Sequence, residues 1–458
     1  MSLSRREVIK ALGLLGAAGV LGSAPGVRAA TRAIPWRNWS GGQSCIPAAR
    51  LAPASEDQLA ALIRSTAGTI RPVGSAHSFS PLVPTEGSIV SLANLSGMIR
   101  HDPAKLQAEF WGGTSMSQMG PALKKIGQAL PNMADIDYQT LAGAISTSTH
   151  GTGPRFGSYS TNIVGLRLVK ADGEILDCDA QNHPEIFNAA RVSLGSLGLI
   201  TRVRMQNRKA FRVHRKEWVQ DTEELLEQMP QLIKENDHFE INTLLHADVS
   251  IATAINETSD TRTIPKEPGG DVEKALMLSR VHREHRDSPR VYAMIVNFIA
   301  RHLISFPEVI DDSYKVFANV RDVRFNEMEY EVPAAAGPAC LREIVKKIRD
   351  EKLNSFIPIE YRYVKADQIP LSMFQGRDSC AISVHQYYEM DHHNFFAQIE
   401  PIFWKYDGRP HWGKLHTLNA RQLAPLYPQW KDFMAVRESL DPSGKFLNAH
   451  LRSIFGLS

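Results

Sequence analysis

The run Leu141-Ala142-Gly143-Ala144-Ile145-Ser146-Thr147-Ser148-Thr149-His150-Gly151-Thr152-Gly153 constrains this chain more than any other stretch. It has no Asp, Glu, Lys or Arg, and most of its residues are Gly, Ala, Ser or Thr. Small side chains let another group come close to the backbone, and the hydroxyls add donors suited to a diphosphate or a ring edge. The same composition also fits a polar surface loop. A second such stretch, Arg71-Pro72-Val73-Gly74-Ser75-Ala76-His77-Ser78-Phe79-Ser80, continues a β-prone segment. It is not G-x-G-x-x-G opening a helix, and it lacks the Gly-Lys-Ser/Thr of a P-loop. A third glycine-bearing stretch runs from Ser193 to Ile200.

Around these segments strand and helix patterns alternate. Ser55-Glu56-Asp57-Gln58 ahead of Leu59, Leu62 and Ile63 predicts a capped helix over 56–67. Strands are expected at 69–73, 88–92, 105–111, 162–170 and 174–178. A helix is expected over 117–129, with Leu123, Ile126 and Leu130 on one face. The class is α+β, in layers around mixed sheets. The character changes after about residue 207. Trp218–Lys234 reads as a helix and 258–290 as a long exposed loop, and Leu341, Ile344, Val345 and Ile348 mark a helix over 339–350.

Lys+Arg outnumber Asp+Glu by 52 to 49, a formal charge of +3. Residues 1–29 hold Arg5, Arg6, Lys10 and Arg28 against Glu7, so the remainder balances at zero and carries no nucleic-acid footprint. Arg5-Arg6, the apolar stretch Ala11–Leu21 and Val27-Arg28-Ala29 stand in the order of a twin-arginine signal peptide with its cleavage site. That predicts a bacterial protein exported in folded form to the periplasm by the twin-arginine translocase. Cys45, Cys178, Cys340 and Cys380 form no C-x-x-C pair and are expected as buried thiols. His411-Trp412-Gly413-Lys414-Leu415-His416 and Asp391-His392-His393 match no metal-ligand spacing, so no metal is expected. Glu360 and Arg362, two apart, point the same way from a strand.

Six segments in one order carry a family likeness: Gly74–Phe79, Thr147–Gly153, Ser193–Gly198, Met328-Glu329-Tyr330-Glu331-Val332-Pro333, His411–Lys414 and Leu440–Asn448. Together they resemble the aldonolactone and alditol oxidases, FAD enzymes of the vanillyl-alcohol-oxidase fold. The likeness runs from about Trp36 to the C-terminus. It implies an FAD-binding domain over 30–207, a cap over 208–410 and a segment, 411–458, returning to the flavin. It also implies FAD contacts from Arg71, Pro72, Val73, Gly74, Ser75, Ala76, His77 and Ser78, with a covalent flavin bond at His77. Thr140, Gly143, Thr147, Ser148, Thr149, His150, Ile200 and His411 would continue the cofactor site. Glu360, Arg362, Lys414 and His385 are the implied catalytic set, and Asp135 and Ser383 the implied substrate contacts. Asp135 stands where alditol-oxidising relatives tend to carry Ser. Ala134 stands where a small residue governs oxygen access.

The expected activity is oxidation of a CH–OH group of a sugar 1,4-lactone, of the arabinono- or gulono- type, by hydride transfer to FAD. The alternatives are an alditol or sugar dehydrogenase delivering electrons to a periplasmic cytochrome or quinone rather than to oxygen, and a non-catalytic periplasmic sugar-binding protein. The leader yields one direct expectation. Replacing Arg5 and Arg6 together by Lys should hold the protein in the cytoplasm, because the translocase reads that pair as an address. Fractionation of cells expressing the variant checks this, and N-terminal sequencing of exported wild type should begin near Ala30.

Overall fold

Residues 34–263, 270–285, 287–319 and 323–458 are described by the computed structural model. The segment expected to be an export leader, residues 1–29, lies outside them. Helix α1 (Glu56–Ser65) starts at the Ser55 cap, whose side chain accepts from Gln58 N at 3.1 Å. Its buried residues Leu59, Ala60 and Ile63 pack on a parallel three-stranded sheet of β1 (Ala49–Leu51), β2 (Ile70–Val73) and β3 (Ser88–Ser91), with β3 in the middle. Phe446, from near the C-terminus, belongs to the same apolar cluster. Ile70 N donates to the Lys445 carbonyl at 2.8 Å, and the Asn448 amide reaches the carbonyls of Pro81 and Pro84 at 2.9 Å each.

An antiparallel five-stranded sheet follows, built from β4 (Met98–Asp102), β5 (Gln107–Trp111), β6 (Ile163–Val169), β7 (Ile175–Cys178) and β8 (Leu199–Gln206) in the order β7-β6-β8-β5-β4. The larger sheet has eight strands, all antiparallel. They are β9 (Arg212–Asp221), β10 (His238–Thr243), β11 (Val249–Thr258), β12 (Val309–Asp312), β13 (Phe325–Pro333), β14 (Ile359–Val364), β15 (Ser379–Tyr387) and β16 (Arg409–Pro410), ordered β12-β9-β11-β10-β14-β15-β13-β16.

Strand alternation gives this sheet two unlike faces. Met328, Tyr330 and Val332 of β13 and Cys380, Ile382 and Val384 of β15 are almost fully buried in the core shared with helices α2 (Gly337–Asp350) and α3 (His392–Lys405). The opposite face carries charge. Glu327, Glu329 and Glu331 stand across from His385, Ser383 and Ala381. Ser383 and Ala381 stand across from Glu360 and Arg362, and these across from Asn242 and Glu240. Residues paired in register share a face, so one polar row crosses four strands.

Several expected elements differ. The helix placed over 117–129 is Met116–Lys125. Gly127, at φ +72°, turns the chain so that Gln128–Ala129 pairs with Arg208–Lys209. Trp218 lies in β9, held by β11 over all ten β9 residues, and the helix begins only at Thr222, capped by Asp221. Within the expected loop 258–290, Gly270–His285 is helical and Pro289 opens another helix; residues 264–269 lie outside the described set. Leu141–Ser146, inside the small-residue run, is also helical. All four thiols are free, and Cys45 is only half-buried. Among the described residues no helix is long and apolar enough to cross a membrane.

Arg71 is the deepest charged tie between these parts. Its guanidinium donates to the carbonyls of Leu82 at 2.7 Å, Leu194 at 2.8 Å, Gly195 at 3.0 Å and Phe446. Arg71→Met keeps most of the bulk and strands the buried carbonyls of Leu194, Gly195 and Phe446, while Leu82 keeps the Asn448 amide at 3.3 Å, which should cost ~3 kcal/mol or more. A lower urea midpoint at unchanged m-value checks this.

Candidate active site

The loop after β2 and the segment 139–150 build two adjoining cavities. The first, about 290 Å³, is lined by Arg71, Pro72, Val73, Gly74, Ser75, Ser78, Thr140, Gly143, Thr147 and Ile200, among others. Gly74 lies tight against Thr140: a Cβ there would sit 2.3 Å from Thr140 Oγ1 and force that side chain to move. Among the described residues no protein acceptor takes the backbone N–H of Ser75, Ala76, His77 or Ser78. Ala76, at φ +59°, bends that row into an arc. Ser75 and Ser78, with free N–H groups, line the cleft beside a wall of small residues, an arrangement suited to an anionic diphosphate, so the residues present fit FAD here.

Three expected cofactor residues stand off this wall. Ala76 and His77 line neither cavity, and the His77 ring stacks on Trp39 at 5.2 Å and on Tyr138 at 6.2 Å between centroids. Ser148 is fully buried, its hydroxyl 3.4 Å from that of Ser372. Arg71 lines the cleft but directs each guanidinium nitrogen to a carbonyl, so it fixes the wall's shape.

The second cavity, about 150 Å³, collects the other expected residues: Asp135, Thr149, His150, Glu360, Arg362, His385, His411 and Lys414. Ser383 lies just behind, its hydroxyl donating to Glu329 Oε2. Gln139 lines the second cavity and Thr140 the first; Thr147 lines the first and Thr149 the second. One continuous segment therefore walls both.

The second cavity is an ionic network. Lys414 Nζ pairs with Glu327 and lies 3.8 Å from Glu329 Oε2. His385 Nε2 is 3.5 Å from Glu327 Oε1 while its Nδ1 donates to the Pro358 carbonyl at 3.1 Å. His150 Nε2 meets Glu329 Oε1 at 2.8 Å. Arg362 bridges Glu240 and Glu360, at 2.8 Å each. Burial works against the charges of Glu327, Glu329, Arg362, His385 and Lys414, and the partners outweigh it. Lys414 and then His385 bring Glu327 down to about 2, and Lys414 with His411 and His150 takes Glu329 well below the carboxylate range. Glu327 and Glu329 push Lys414 up, Glu327 does the same to His385, and Glu360 with Glu240 keeps Arg362 charged. His411 is different: burial lowers it to about 3, and its Nδ1 accepts from Gly413 N at 3.0 Å, so it is a neutral wall.

Glu327, Glu329, Glu240 and Asn242 were not singled out from the sequence as site residues. For Glu327 and Glu329 a signal existed: carboxylates at alternate positions of an otherwise apolar strand. His150/Glu329/His411 and Glu327/Glu360/His385 each bring three ligand-type atoms within 4.8 Å of one another. Lys414 is a cation facing both Glu327 and Glu329.

Burial also depresses His77, His238 and His450 to about 4 and His416 to about 3. The unfolded value is about 6.5, so below it the unfolded chain binds more protons than the folded one and stability falls as pH falls. The depressed Glu327 adds to the loss below about pH 4, while the raised His385 and the raised Glu331 act in the opposite direction and are outnumbered by the depressed histidines. The urea midpoint should therefore drop between neutral pH and about pH 5. An unchanged or rising midpoint over that interval would show these histidines to be charged in the fold.

The D-arabinono-1,4-lactone oxidase family model matches residues 203–454, more than half of the chain, and an FAD binding domain model matches residues 47–179. L-gulono-1,4-lactone dehydrogenase of Mycobacterium tuberculosis is 38% identical over 92% of this chain and 99% of its own length. L-gulonolactone oxidase of Mus musculus is 26% identical over 93% and 99%. Cholesterol oxidase of Brevibacterium sterolicum superposes with a TM-score of 0.76 at 15% identity, covering 92% of this chain and 96% of that one, which gives the fold alone. With its N-terminal FAD site and its charged sheet face, the chain belongs to the D-arabinono-1,4-lactone oxidase family.

Proposed function

We propose that this protein oxidises a CH–OH carbon of a sugar 1,4-lactone of the arabinono- or gulono- type. The observation that carries the reading is the ionic cavity of Glu360, Arg362, His385 and Lys414 sharing a wall with the FAD cleft. FAD, when bound, supplies the acceptor for the hydride leaving the carbinol carbon. The chain's own residues orient the alcohol and manage its proton. Arg362, gripped by Glu240 and Glu360, presents a rigid guanidinium fork to substrate oxygens. Glu360 takes the hydroxyl proton. Lys414, fixed by Glu327, provides a positive charge where negative charge develops. Asp135 in place of Ser weighs against an alditol.

Export through the twin-arginine route and a covalent flavin at His77 are parts of the same proposal. The His77 imidazole, lowered to about 4, is unprotonated at neutral pH, as bond formation at a ring nitrogen requires. Flavin fluorescence that stays with the acid-precipitated pellet supports the bond; flavin released into the supernatant rules it out.

The purified protein should be yellow and bleach anaerobically with gulono- or arabinono-1,4-lactone. Return of colour with air, or only with an artificial dye, identifies the acceptor class. Lys414→Met should slow bleaching by ~10² or more. Glu360→Gln should slow it by ~10²–10⁴. Arg362→Lys should also be poorly tolerated, and FAD content should survive all three changes. Stopped-flow reduction at the wild-type rate in every variant would move the active site elsewhere.

A further inference from the structure

Behind the charged wall of the second cavity lies a polar cluster that the reaction just described leaves unused. Glu331 is fully buried and follows Glu329 on the same face of β13. One of its carboxyl oxygens is 3.8 Å from His150 Nε2, the atom that meets Glu329 at 2.8 Å. Among the described residues no donor reaches either oxygen of Glu331. Burial, and then the charge of Glu329, holds its carboxyl well above the ordinary range, against the pull of Arg377 and Lys414. A neutral carboxyl therefore sits beside an ionised one.

Gln375 Oε1, Arg377 Nε, Arg409 Nε and the Tyr427 hydroxyl are also buried without a protein partner among the described residues. They belong to one neighbourhood. Arg409 stands across from Glu331 in register, donates to the Gln375 carbonyl at 2.7 Å and lies 5.5 Å from the Tyr427 ring. Arg377 donates to the Glu331 carbonyl at 2.8 Å and, toward the surface, to the carbonyl of exposed Asp407 at 2.7 Å. Donors and acceptors are mixed in this set, a mixture that water can satisfy at both kinds of atom and an anion only at the donors.

We propose that Glu331 and the hydrated cluster behind it carry the substrate's hydroxyl proton from the cavity to solvent, by way of Glu360, Ser383 and Glu329. The proposal rests on the lactone-oxidising reading above. In each turnover the carbinol is oxidised and the flavin reduced. The C–H electron pair leaves with its hydrogen as hydride, the O–H bond breaks, and the proton passes to the Glu360 carboxylate. Glu360 acts again only after that proton has left. Ser383 stands in register with both Glu360 and Glu329, and its hydroxyl already donates to Glu329. A proton received by Ser383 from Glu360 thus displaces its own onto Glu329. Glu331 then takes that proton and gives its own to water among Tyr427, Arg409, Arg377 and Gln375. Lys414, His411 and His150 hold Glu329 ionised, while Arg377 and Lys414 pull on Glu331 without ionising it.

Glu331→Gln separates relay from structure, because glutamine reproduces the neutral shape and cannot pass a proton on. In the FAD-loaded enzyme, steady-state turnover of the lactone with an artificial dye as acceptor should slow by ~10² in this variant while the first anaerobic bleaching keeps its rate, and Glu331→Asp, which retains a carboxyl, should stay within about tenfold of wild type. The solvent deuterium isotope effect should rise in Glu331→Gln, with FAD content unchanged. Infrared difference spectra of wild type against Glu331→Gln, recorded without substrate, should show a protonated-carboxyl stretch in the wild type alone. Wild-type rate and isotope effect in Glu331→Gln would overturn the relay, and so would the loss of no carboxyl band. Failure of the lactone reading looks different: no lactone bleaches even the wild type, while the infrared result still decides whether Glu331 holds a proton.

Discussion

A carboxylate removed from water costs several kcal/mol unless a partner balances it, and β13 places three glutamates on one buried face, each at most 3% exposed. The fold around them is organised by that requirement. Lys414 and His385 compensate Glu327, His150 and Ser383 hold Glu329, and Glu331 adopts the neutral form. The partners arrive from three separate parts of the chain, so the sheet's polar face is stable only when the FAD-side segment and the segment after β16 are both in place. The apolar face follows ordinary rules: Tyr330 stacks on Phe403 at 4.8 Å, and its hydroxyl is satisfied by Glu400 at 2.6 Å. Alternation alone thus turns one strand into half of a core and half of a catalytic wall.

That logic also decides what a reader of the sequence can see. Helix α1 was legible because its cap and its apolar spacing are local. Glu360 and Arg362 were legible as a pair because they are two apart on one strand. The small-residue runs announced a close approach, which the cleft at Gly74 and Thr140 displays. Glu240 could not be read this way. It joins Arg362 only through the pairing of β10 with β14, across more than a hundred residues. Trp218 misled for a related reason: its acidic, leucine-rich surroundings suggest a helix, and the long pairing of β9 with β11 overrides them. Arg71, beside the cleft, looked like a phosphate ligand by position. Only the carbonyls of Leu82, Leu194, Gly195 and Phe446, remote from it in sequence, reveal its use.

The contacts of Phe446 and its neighbours have a consequence for biosynthesis. The β1–β3 sheet and helix α1 leave the ribosome long before residues 445–448, yet Phe446 fills their cluster, the Lys445 carbonyl caps Ile70 and Asn448 ties down Pro81 and Pro84. The cofactor cleft therefore takes its shape only once those partners have been made. A chain cut before Lys445 would be damaged in its N-terminal sheet, and occupancy by flavin would report that synthesis had passed Asn448.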